Sequence, residues 1–147
     1  MATTRSFKNE QRIKQFKEAI GPHNNRLQLI QADMMTEGKE CFTQNSMLSG
    51  VDYVFHTAAP FFTSTQMKDC DEGIRKYIES TQALVEGCVK NKVKKVIFTG
   101  SATSVIGHFP VKDEGFVYND AYTWVDAKSI NKPNEKAKIL AEKVCWN

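Results

Sequence analysis

Four cysteines, Cys41, Cys70, Cys88 and Cys145, have the chemistry to hold a metal or attack a substrate. Their spacing speaks against a metal: there is no CxxC pair, and no Cys/His group has zinc spacing. Reduced thiols in a cytosolic protein are the expectation. Glycine spacing is as informative. A loop that cradles phosphates needs glycines a few residues apart, so that backbone amides can approach the anion. The nearest two of the eight glycines are Gly100 and Gly107, so the chain carries no such cradle. The densest basic patch, Lys90, Lys92, Lys94 and Lys95, falls where a helix should hand over to a strand. Cations favour a helix C-terminus, and a net charge of +3 is too small to argue for nucleic acid. His56 stands alone in an apolar run and reads as a satisfied core histidine.

The elements that must position such residues alternate along the chain. Helical period runs through Asn9–Ile20, with Ile13, Phe16, Ala19 and Ile20 on one face and Gly21-Pro22 as the stop. A weaker helical stretch lies at 40–48, before Gly50. The strongest helix covers 71–91, where Ile74, Tyr77, Ile78, Thr81, Leu84, Val85 and Cys88 keep the i, i+3, i+4, i+7 rhythm. Pro133 suits the first turn of a last helix from about Asn134 onward. Between these lie short apolar runs at 27–31, 51–57 and 93–99, and two of the three have little polar alternation. That pattern predicts strands of a parallel sheet buried on both faces. The class is therefore α/β with crossover helices. The aperiodic stretch 107–133 reads as an irregular loop at the carboxyl end of the sheet, where ligands bind in such folds.

Composition fits one ordinary globular domain, with 41% hydrophobic and 25% charged residues. No apolar run approaches the roughly 20 residues a membrane helix needs, and MATTRSFKNEQRIKQ has no apolar core of a secretory leader. Neither membrane nor nucleic acid is expected as a partner, and the expected location is cytoplasmic.

Four segments in order, LQLIQAD around 28–33, VDYVFHTAAP at 51–60, VKKVIFTGSATSV at 93–105 and KAKILAEKVCW at 136–146, resemble the extended short-chain dehydrogenase/reductases. The nearest branch is the dihydroflavonol reductase and cinnamoyl-CoA reductase group, within the NAD-dependent epimerase/dehydratase superfamily. The resemblance runs from about Thr3 to Asn147. It implies a Rossmann domain that binds NADP(H), with NAD as the alternative, and that reduces a ketone, aldehyde or CoA thioester. In that family a Tyr donates the proton, assisted by a Lys and a Ser.

Carried over by position, the resemblance assigns Ser101 of FTGSAT as the hydroxyl that bonds the substrate oxygen, with Thr99 and Thr103 ranked below it. It assigns Lys138 of AKILAE as the ammonium that bonds the nicotinamide ribose and would lower the pKa of a neighbouring phenol. Thr57, Ala58 and Ala59 form the turn whose small side chains let a dinucleotide approach the backbone. Asp33 and Met34 would touch the adenine, the carboxylate accepting from its amine. Arg5 would grip the adenosine 2′-phosphate, favouring NADP. Arg12 resembles a second basic contact but reads better as a surface arginine.

The chain also departs from the family. Its Tyr-x-x-x-Lys pair becomes Asn134 and Lys138, and an amide cannot donate a proton as a phenol does. The adjacent Glu135 points about 100° away on a helix. The first strand and glycine loop have no counterpart in these residues, and the chain stops near the last helix, at Asn147. The expectation is a partial, doubly wound NAD(P)-binding Rossmann domain over 1–147, without the first strand, the glycine loop or the substrate-binding lobe. Glu79 stands where the family has an Asn-Gly pair and would place a charge beside the active-site strands.

Two functional expectations follow. One is an NADP(H)-dependent oxidoreductase of a small carbonyl or alcohol substrate, present as an incomplete and inactive chain. The other is a non-catalytic, reductase-like interaction or assembly module. In the Rossmann strand order the absent strand lies between the first pair and the strand at 52–57. The expected consequence is direct pairing of 27–31 with 52–57, an oligomer that covers the gap, or marginal stability.

Overall fold

A computed structural model describes residues 1–43, 46–63, 70–106, 115 and 124–146. Local signals account for most element ends. The helix α1, Glu10–Ile20, starts where Asn9 Oδ1 accepts the Arg12 N–H at 3.0 Å. It stops at Gly21, whose φ of 62° suits glycine. The strand β1, Ala2–Thr4, precedes it, and β2, Leu29–Gln31, follows a 3-10 turn over Gly21–Arg26. Leu27 closes that turn through a 3.1 Å bond to Asn24 O, so β2 begins two residues later than the apolar run suggests. A short helix, α2 (Met34–Glu37), comes next, and the helix expected at 40–48 is observed as α3 (Glu40–Thr43) and a 3-10 turn at Ser46–Leu48.

Next come β3 (Tyr53–His56), α4 (Asp71–Lys90), β4 (Lys95–Phe98) and α5 (Thr103–Ile106). The last helix, α6 (Pro133–Val144), carries its proline in the first turn. Acidic Asp71 and Glu72 at the start of α4 and Lys90 at its end follow the helix dipole. Within the expected loop 107–133, the described part holds a 3-10 turn at Ala127–Ser129 capped by Asp126. The rest of that stretch, apart from Gly115, lies outside the described residues.

The strands form two parallel pairs. β1 joins β2 with Ala2 opposite Leu29, and β3 joins β4 with Tyr53 opposite Lys95. Each pair is joined by a crossover helix, α1 or α4, which gives a partial Rossmann-like α/β fold. Among the described residues the two pairs do not hydrogen-bond to one another. The direct pairing of 27–31 with 52–57 therefore does not occur; β2 pairs with β1 instead.

One core spans both pairs. Ile30 of β2, Val54 of β3 and Val96 of β4 pack against Cys41, Leu48, Leu84 and Cys88. A second cluster joins α4 to α6 through Ile74, Tyr77, Ala137 and Ala141, with Phe62 and Phe98 beside them. The expectation of strands buried on both faces needs correction. Side chains alternate across a strand, and in β3 Tyr53 and Phe55 are 58% and 72% exposed while His56 is 6% exposed. The described helices cover only the Val54/His56 side.

Candidate functional site

The site residues gather where β3 and β4 end. The strand pair is prolonged by Thr99 N–H, which donates to His56 O at 2.9 Å. Just beyond His56, Thr57, Ala58 and Ala59 are exposed, and they are small enough for a ligand to reach their backbone. This turn is held from below: the Tyr77 hydroxyl of α4 donates to Ala58 O at 3.3 Å. Tyr77 is fully buried, and burial pushes its phenol well above the usual range, so it is a neutral donor at physiological pH.

Lys138 reaches the end of β4 from α6. Its Nζ donates to Thr99 O at 2.6 Å and lies 5.7 Å from the Phe98 ring centroid. Burial lowers its pKa, and the Glu142 carboxylate one turn on opposes that shift. Ser101 lies two residues past Thr99 and is half-buried. Its Oγ donates to Thr103 Oγ1 at 3.2 Å and accepts the Thr103 N–H at 3.3 Å, so this hydroxyl starts the short helix α5. Thr99, Ser101 and Thr103 thus form one polar strand end, tied to α6 by the ammonium.

Asn134 is engaged elsewhere. Its Oδ1 accepts the Phe62 N–H at 2.7 Å and its Nδ2 donates to Phe62 O at 3.1 Å. Both functions of the amide are taken up by one backbone residue of the loop after β3. Glu135 pairs with Lys132 at 3.4 Å.

One site residue was missed in the sequence. Glu142 accepts from the buried Ser104 Oγ at 2.7 Å. A Cβ placed on Gly100 would meet its carboxylate at 2.6–2.8 Å. The available signal was its spacing, four residues beyond Lys138 and eight beyond Asn134. His56 is buried as expected, but it is not satisfied: among the described residues Nε2 has no hydrogen-bond partner. The imidazole lies against Tyr77 and Phe98 with ring centroids 6.5 and 5.2 Å away. Burial, helped by the Lys138 charge, pushes its pKa down to about 4, so the ring is neutral at physiological pH.

The residues suggested for the adenosine end are placed more loosely. Arg5 directly follows β1 and is exposed, as is Arg12 on α1. Asp33 caps α2 by accepting the Met35 N–H at 3.0 Å, and Met34 opens that helix. Glu79, expected as a charge beside the strands, is instead neutralised on α4: Arg75 Nη1 lies 2.6 Å from its Oε1. An open groove of about 680 Å³ runs along α1 between Phe7, Ile13, Lys17 and Gly21, and no candidate site residue lines it. Three of the four thiols are poorly poised as nucleophiles, since burial raises those of Cys88 and Cys145 and takes Cys41 to about 11. Among the described residues no group of three or more His, Cys, Asp or Glu could hold a metal, and no helix is long and apolar enough to cross a membrane.

A nicotinamide dinucleotide finds a fit at one end only. The open turn 57–59, the Lys138 ammonium and the Thr99–Ser101 strand end suit a ribose and a carboxamide, whereas no close glycines stand ready for the pyrophosphate.

Residues 3–147 match the model of the NAD dependent epimerase/dehydratase family. Tetraketide alpha-pyrone reductase 2 of Arabidopsis thaliana is 28% identical over 98% of this chain and 44% of its own length. Anthocyanidin reductase of the same plant is 29% identical over 98% of this chain and 42% of its own. Cinnamoyl-CoA reductase CAD2 of Medicago truncatula is 30% identical over 82% of this chain and 36% of its own length. The chain therefore spans less than half the length of these curated relatives.

Proposed function

This chain belongs to the NAD dependent epimerase/dehydratase family, and we propose that the chain ends at 57–59 and 99–101, with Lys138, form the nicotinamide half of an NADP(H)-dependent oxidoreductase site for a carbonyl or alcohol substrate. The observation that carries the reading is the 2.6 Å bond from Lys138 to Thr99 O, which brings an ammonium to the strand end that bears Ser101. Lys138 would hold the nicotinamide ribose, and the backbone of Thr57, Ala58 and Ala59 would line its approach. Arg5, Asp33 and Met34 would meet the adenosine end, with Arg5 toward a 2′-phosphate. When bound, the nicotinamide supplies or accepts hydride.

The residues of the chain handle the oxygen and its proton. Ser101 Oγ would turn from Thr103 to donate to the substrate oxygen, and the cation of Lys138 would stabilise negative charge developing nearby. Position 134 supplies no donor for the proton. Asn134 is an amide bound to Phe62 at both ends, and a missing general acid costs roughly 10²- to 10⁴-fold. The proposal is therefore a site that favours binding over turnover. The engaged amide also favours a second reading, a non-catalytic reductase-like module that serves in assembly.

NADPH oxidation with a broad panel of ketones, aldehydes and CoA thioesters tests the account. The expected outcome is no turnover by this chain, and none from Asn134→Tyr alone. Clear turnover by the native chain would overturn the reading of position 134.

A further inference from the structure

Asn134, Lys138 and Glu142 are spaced i, i+4 and i+8 along α6, so they share one face of the helix. Each makes its bond to a different piece of chain. Asn134 takes the N–H and C=O of Phe62, 72 residues away in sequence. Lys138 takes Thr99 O at the end of β4, and Glu142 takes Ser104 Oγ in α5. From these contacts we propose that Asn134 and Glu142 are positioning residues, the outer rungs of a ladder that holds the two turns Lys138 works between. The inference rests on the reading above for what those turns bind, though not for the ladder itself.

The chemistry of each rung suits its partner. A carboxamide offers one acceptor and an amide donor in a single plane, so it can pair with the N–H and C=O of one residue as a neighbouring strand would. Asn134 thereby fixes Phe62, while Tyr77 fixes Ala58 in the same loop. At the other turn the Glu142 carboxylate fills the volume that a side chain at position 100 would need. Glycine at 100 and the carboxylate at 142 are therefore one arrangement, and Ser104, fully buried, anchors it. Position 134 then has a task that needs no proton transfer.

Amide hydrogen exchange on the protein without nucleotide tests the ladder. Asn134→Ala should speed exchange of the Phe62 amide about tenfold, the loss of one partly buried hydrogen bond, and leave Ser101–Ser104 unchanged. Glu142→Ala should do the reverse. Glu142→Gln, which still accepts from Ser104, should restore most of the protection, whereas Asn134→Asp, which still accepts from Phe62 N–H but sets an anion against Phe62 O, should restore only part of it. Unchanged exchange at Phe62 in Asn134→Ala would overturn the proposal. So would equal acceleration of both turns and the α4 core in either variant, because that is general destabilisation. Titration with nicotinamide mononucleotide then separates the two claims. If the native chain binds it, each alanine variant should bind about tenfold more weakly, and unchanged affinity would overturn the positioning role. If the native chain does not bind it, the functional reading falls, while localised exchange effects would still uphold the ladder.

Discussion

The half of the molecule built on β3, β4, α4 and α6 differs sharply from the half built on β1, β2 and α1. In the first, α4 buries seven residues and α6 buries Ala137, Ile139 and Ala141. Its polar side chains bond across long stretches of sequence, from Asn134 to Phe62 and from Lys138 to Thr99. In the second, α1 buries no residue, and Arg5 and Arg12 are exposed. The difference teaches that the nicotinamide end of the proposed site stands on a packed scaffold, while the adenosine end stands on a helix stabilised chiefly by its own cap and turn.

Stability gives the largest contrast. Leu84 is 2% exposed in the core that joins both strand pairs. Leu84→Ala should cost about 2–5 kcal/mol in chemical denaturation, which is a large part of a typical domain's stability. Phe16 on α1 is 40% exposed, and Phe16→Ala should cost less than about 1 kcal/mol. Equal costs would erase the distinction between the halves.

A pH titration sharpens it. The folded pKa of His56, about 4, lies below its ordinary 6.5, so between these values the unfolded chain binds the extra proton. Stability is complete above pH 6.5 and falls as pH drops toward 4, by up to about 3 kcal/mol. Removing the imidazole by His56→Phe should flatten that slope, and an unaltered slope would show that His56 is not its source.

The smallest effect is expected on the solvent face of α4. Arg75 bridges Glu72 and Glu79 with both partners well exposed, so Arg75→Ala should change stability by less than about 1 kcal/mol. A larger loss would mean that Glu79 bears on the strands after all, as its position in the sequence suggested.

Legibility followed the range of the forces involved. The stop at Gly21 and the proline at the start of α6 are local and could be read directly. So could the alternation that gives parallel α/β units. The exposed Tyr53 and Phe55 could not, because an apolar run has the same composition whether one face is covered or two. The engagement of Asn134 was also hidden. A substitution of Tyr by Asn shows that a donor is absent, but the partner that takes the amide lies far off in sequence and exists only in the fold. His56 failed for the opposite reason: its burial was legible, whereas the lack of a partner for Nε2 depends on every neighbour. Glu142 was within reach, since the four-residue spacing that led from Asn134 to Lys138 continues to it.

The most direct test of the central claim treats the two ends of the cofactor as separate ligands. Nicotinamide mononucleotide and 2′,5′-ADP can be titrated in parallel while backbone and lysine resonances are followed by NMR. The account predicts that the mononucleotide shifts Thr57–Ala59, Thr99–Ser101 and the Lys138 ammonium, that Lys138→Met abolishes those shifts, and that 2′,5′-ADP acts more weakly, near Arg5 and Asp33. Tighter binding of 2′,5′-ADP than of the mononucleotide, or mononucleotide shifts confined to the α1 groove, would contradict it.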